Sequence, residues 1–263
     1  MPVSPHFYDE PSVFTPENLL REARRQKRIP PGPIPDVCIL DPDGDIVRHL
    51  VAHGRATRNP HWACYHTDLY DFTLDDLGCG IVGCAVGASF AVLVAEEMFA
   101  SGCRLLISIT SAGQITPLRA PPYFILIEKA LRDEGTSGHY LPPGEFSYLD
   151  NALRDLLRTL RLPASIALDA GIAWTTDAPF RETAGAIAAR RAAGIHAVEM
   201  EAAALYAFAQ ARRKPVICLA HITNQMAVVE GDFEKGDDNG SRDALALLRA
   251  IARLWLNNEE KHP

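Results

Sequence analysis

The chain has 263 residues, 48% of them hydrophobic, with a formal net charge of −7. That length suits one large α/β domain or two small ones, and the apolar share excludes a disordered chain. The acidic balance argues against a general nucleic-acid binder, which carries a basic face.

Residues 1–35 read as an N-terminal extension with a short helix, and 36–263 as the main domain. "MPVSPHFYDEPSVF" lacks the basic and apolar regions of a signal peptide. In "TPENLLREARRQKR", Thr15 is the expected N-cap, Pro16 the first helical residue and Glu17 an acid of the first turn. Leu19, Leu20 and Ala23 form an apolar stripe, and Arg21, Arg24, Arg25, Lys27 and Arg28 are basic. A nucleic-acid arm and a solvated edge both fit; the absence of interleaved aromatics favours the edge. "PPGPIP" ends the helix.

"VCIL" then predicts a buried strand, "DPDGD" a turn and "IVRHLVAH" a helix start. Residues 61–77 predict a hairpin or edge strands. Residues 78–95 carry no charge and approach the ~18 residues of a membrane span. Their glycines divide them into strand, turn and buried helix, so a span is rejected. Further strands are predicted at 103–110, with "SAGQI" as the turn after it, and at 123–131, 164–176, 196–200 and 215–224. Helices are predicted at 149–160, 182–193, 201–213 and 241–257. None of the six cysteines forms a C-x-x-C pair, and no zinc spacing occurs. They read as small apolar residues in a reducing, cytoplasmic setting, with no metal site.

Alternating strands and helices predict a single α/β domain with a central mixed sheet flanked by helices. Ligands of such folds bind at the carboxyl ends of strands. Four strand ends carry chemistry. "DGDIVR" offers Gly44 and Arg48, an anion turn or a plain turn with a surface arginine. "ITSAG" offers Thr110 and Ser111 hydroxyls beside a glycine, which suit an oxyanion or any turn. "HAVEMEAAALYAFA" puts Glu199 and Glu201 on one side of a strand and Met200 on the other. A buried carboxylate needs partners, and a ribose diol or a nearby arginine would serve. "HITNQM" ends on Asn224, a donor and acceptor that either reads a ligand or caps the next loop.

Together these residues resemble the nucleoside phosphorylase family, which includes purine nucleoside and uridine phosphorylases. The resemblance covers most of 36–255, with "VEMEAAALYAFA" the most specific motif and "DGDIVR", "GASFAVLVAEEMFASG" and "ITSAG" in the family's order. It implies a nucleoside phosphorylase-like catalytic domain over 36–263. "ALRDEGTSGHYLPP" looks like the uridine branch; "APFRETAGAIAARRAAGIHAV" looks like the purine branch. Glu182 precedes Met200 by 18 positions and Asn224 follows it by 24, the purine-branch spacings.

The resemblance implies phosphorolysis of a 6-oxopurine nucleoside to free base and ribose 1-phosphate. Phosphate would be held by Gly44, Arg48, Ser111 and Arg55, ribose by Glu199, Met200 and Glu201, and base by Phe180, Glu182 and Asn224. Asn224, Arg48 and Glu201 would be catalytic. No cofactor is implied beyond phosphate as co-substrate. The family forms dimers, trimers or hexamers, so a homo-oligomer is expected, with His6 reaching a neighbouring site. Two departures stand out. Arg181 sits where the purine branch has an aromatic, and Ser108 replaces a phosphate-binding arginine, for which Arg55 or Arg58 could stand in. The rival readings are a uridine phosphorylase, a phosphate-independent nucleoside hydrolase and a non-catalytic nucleoside-binding protein. Against the hydrolase, no carboxylate base is expected in the Gly-Asp turn.

Overall fold

The computed structural model describes residues 7–8, 10–226 and 230–260. His6 lies outside the described residues. Helix α1 (Pro16–Lys27) begins as predicted, with Thr15 accepting the N–H of Asn18, and buries Leu20 and Ala23. These pack with Ala63, Ile29 and Ala100, while Arg21 and Arg25 pair with Glu22 of the same helix. The basic residues are thus largely a solvated face.

Strand β1 (Val37–Asp41) is wholly buried and leads through the "DPDG" turn into α2 (Asp45–Ala52). β2 (Ala56–Arg58), β3 (Tyr70–Leu74) and β4 (Leu77–Gly83) form an antiparallel meander beside it. β4 is parallel to β1 and precedes α3 (Ala88–Ala100), so the uncharged stretch divides into strand and helix. Among the described residues, no helix is long and apolar enough to cross a membrane.

β5 (Leu105–Gln114) comes next, then β6 (Tyr123–Asp133), β7 (Phe146–Tyr148), α4 (Asn151–Leu157) and β8 (Leu168–Thr176). After a short 3-10 turn at Pro179–Arg181 follow α5 (Ala184–Ala192), β9 (Ala197–Glu199), α6 (Ala202–Arg212), β10 (Val216–Asn224) and α7 (Ser241–Glu259). The strands make one mixed sheet ordered β10-β6-β8-β9-β5-β1-β4-β3-β2, with β7 on β6. β10 also pairs with β5, so five strands close into a ring from which the β1 side extends.

The predicted turn at "SAGQI" is instead strand. β5 runs on through it because β10 pairs along it as far as Gly113. Its other edge is divided. Residues 105–108 pair with β1, and 113–114 pair with β9. Between them, at 109–112, this edge is open, just where β1 ends in the "DPDG" turn. Helix α6 is buried over Ala202–Phe208, since its alanines admit close approach to α3.

Candidate functional site

The carboxyl ends of β1, β5, β8, β9 and β10 converge where the edge of β5 opens. The sheet itself places two of the residues. A β-bulge between Ile222 and Asn224 sets Asn224 opposite Gly113, which also pairs with Val198. Such bulges re-aim a side chain at the end of a ladder.

Glu199 and Glu201 part company. Glu199 ends β9, is 4% exposed, and accepts from the Thr175 hydroxyl and from the N–H groups of Glu201 (2.8 Å) and Ala202 (2.7 Å). It therefore caps the buried start of α6. Glu199, expected at the ribose, thus has both its oxygens engaged within the fold. Glu201 is 1% exposed. Its Oε1 accepts the Gly87 N–H at 2.7 Å, and its Oε2 has no partner. The Thr110 hydroxyl favours the ionised form, but its hydrogen bond, at 3.4 Å, goes to the Ser111 carbonyl. Burial, with the charge of Glu199 added, pushes Glu201 up to about 8. Burial also raises Glu199, but its three donors oppose this. Met200, half-buried, lies between them.

The "DPDGD" turn is crowded with acid. Asp41, 2% exposed, accepts from Gly44 N (3.2 Å) and Val47 N (2.9 Å), capping α2; burial raises it to about 7. Asp45 pairs with Arg48 at 2.7 Å and Lys235 at 2.5 Å. Burial opposes its ionisation, but these two cations hold it below the ordinary carboxylate range. Arg48 also donates to the Asp43 carbonyl at 2.7 Å and reaches Cys84 Sγ at 3.6 Å. Asp43 Oδ2 accepts the Ser111 N–H at 2.6 Å, on the open edge of β5. Asp41, Asp43, Asp45, Thr110, Ser111 and His221 line a cavity of about 20 Å³. His221 stacks on Phe124 at 4.6 Å, and burial with nearby Lys235 lowers it to about 4, so it is neutral there. Gly44, Arg48 and Ser111 thus lie around one turn, with a carboxylate already on the Ser111 N–H. That carboxylate is Asp43, one residue before the glycine, in the turn where no carboxylate base was expected. Three aspartates at alternate positions were the signal for it.

Other predicted residues lie elsewhere or do other work. Arg55 lines a separate cleft with His49, Asp75, Arg242 and Arg249, and Arg58 pairs with Asp68, so neither reaches Ser111 within the chain. Ser108 is buried between β1 and β10. Phe180, expected at the base, is 99% exposed on the 3-10 turn. Glu182 follows it, half-buried and raised by burial. Among the described residues its carboxylate has no hydrogen-bond partner. Asn224 Oδ1 accepts the Met226 N–H at 2.9 Å and Nδ2 donates to Thr223 Oγ1 at 3.1 Å. It acts as a loop cap with one N–H left over. The Met226 sulfur and Asn224 Oδ1 both crowd the space above Gly113; sequence reasoning did not single out Met226, a neighbour of Asn224. Among the described residues, no group of His, Cys, Asp and Glu is arranged to hold a metal.

The model of the phosphorylase superfamily matches residues 36–253. The chain belongs to this superfamily. The superfamily includes nucleoside phosphorylases, pentosyltransferases that need no cofactor and use phosphate as co-substrate, and also nucleosidases. No curated protein matches the chain. Among solved structures, it is similar to a uridine phosphorylase from Vibrio fischeri, with 19% identity, TM-score 0.69, and 86% of this chain and 92% of that one covered. A 5'-methylthioadenosine/S-adenosyl homocysteine nucleosidase from Campylobacter jejuni aligns at 19% identity and TM-score 0.66, covering 84% and 98%. A purine nucleoside phosphorylase from Toxoplasma gondii aligns at 16% and 0.67, covering 84% and 92%. At such identities these three establish the superfamily's fold, shared across both purine and pyrimidine chemistries.

Proposed function

We propose that this superfamily member cleaves the N-glycosidic bond of a 6-oxopurine nucleoside, with phosphate as acceptor. The observation that carries the reading is the unpartnered, buried Oε2 of Glu201. A buried carboxyl oxygen left alone costs about 1–3 kcal/mol, and a ribose hydroxyl would satisfy it. A protonated Glu201 can both donate and accept, which suits a diol. Met200 would pack beneath the sugar.

Bond cleavage leaves positive charge on the sugar and negative charge on the base. Phosphate beside Gly44, Arg48 and Ser111 would steady the first and attack the anomeric carbon. The spare N–H of Asn224 would serve N7 of the leaving purine, and Glu182, uncommitted within the fold, would accept from N1–H. Met226, packed on Asn224, is better placed than Phe180 for apolar contact with the ring. Asn224→Ala is expected to lower kcat by ~10²–10³.

A panel of nucleosides tests the base assignment. Inosine and guanosine should be turned over, with uridine and adenosine poorer by at least ~10²-fold, since unmatched buried polar groups penalise the wrong base. Preferential turnover of uridine would overturn it. A second reading, water as acceptor, draws support from Asp43, a carboxylate at the position where a nucleophile would be activated.

A further inference from the structure

We propose that Asp43 is a specificity-determining residue that holds the acceptor position at Ser111 against phosphate. The proposal rests on reading the strand ends as a nucleoside site. The Ser111 N–H projects from the open edge of β5 and is the ready-made anion donor of this cluster. It is already taken by Asp43 Oδ2 at 2.6 Å. The cations nearby are committed too: Arg48 and Lys235 both pair with Asp45, and Arg48 also holds the Asp43 carbonyl. Position 108 supplies a serine, and Arg55 lines another cleft. The cavity beside Ser111 is small, about 20 Å³.

A phosphate oxygen therefore reaches the Ser111 N–H only when the Asp43 carboxylate leaves it. Until then the anion meets a like charge at contact distance. Asp43 thus weakens phosphate binding and favours water as the acceptor in a fraction of turnovers.

The test is titration of inorganic phosphate into the full chain by calorimetry, with Asp43→Asn and Asp43→Ala beside the wild type. The wild type should bind phosphate in the millimolar range or weaker. Both variants should bind it about tenfold or more tightly, because a like charge has been removed. In turnover with phosphate, the ratio of free ribose to ribose 1-phosphate should fall in both. Micromolar phosphate binding by the wild type, or unchanged or weaker binding by a variant that circular dichroism shows folded, would overturn the proposal. Asp43→Asn keeps the shape of the turn should the alanine variant fail to fold. If both fail, the wild-type affinity decides. If no nucleoside is cleaved, the functional reading falls, while the phosphate titration still decides the role of Asp43.

Discussion

At the scale of single residues, the site turns on how two glutamates share their surroundings. Glu199 has three donors and Glu201 one. The sequence alone could not separate them, because strand alternation places both on one side; the structure ends the strand between them. Replacing Glu201 by alanine should lower kcat/KM for the preferred nucleoside by about 10² or more, as two hydrogen bonds to ribose are lost. The same group makes stability depend on pH. Its folded value is raised to about 8 against an ordinary carboxyl value of 4.5, so the folded state binds the proton more tightly. Its contribution to stability is full below the ordinary value and is lost as pH rises toward 8. Asp41, raised from 3.8 to about 7, acts in the same direction. Thermal melts from pH 5 to 8.5 should show a falling Tm, and Glu201→Gln should flatten the slope. An unchanged slope in that variant would show that Glu201 ionises as freely folded as unfolded.

At the scale of elements, two helix starts are locked together. Glu199 caps α6, and Glu201 reaches across to the first N–H of α3 at Gly87. Gly87 has φ 94° and ψ 149°, a conformation open in practice only to glycine. Gly87→Ala should cost about 1–3 kcal/mol and turn the N–H away from Glu201, raising KM as well as lowering Tm. Glu199→Ala should leave three buried donors unsatisfied and cost about 2–4 kcal/mol, lowering Tm by several degrees. The uridine-like "DEGTSGHY" also has a local task. Glu134 caps the turn at Thr136 and Ser137, and Arg132 binds Ser137. That segment therefore carries structural information alongside any about the base.

At the scale of the whole molecule, the alternation of strands and helices was legible because buried strands and amphipathic helices have distinct periods. The helix start at Thr15 and the strand end at Asn224 followed from local chemistry. The closure of β10 onto β5 did not, since it joins segments over a hundred residues apart, and it turned a predicted loop at "SAGQI" into strand. The open edge that exposes the Ser111 N–H lies on the other side of β5, in the gap between its pairings with β1 and β9, which local sequence does not show.

The most direct test follows wild-type protein with inosine and phosphate, recording hypoxanthine by absorbance and the sugar product by phosphorus NMR. Hypoxanthine should appear together with ribose 1-phosphate, and both should be largely lost in Glu201→Ala. Failure to release base from any nucleoside, with or without phosphate, would contradict the account.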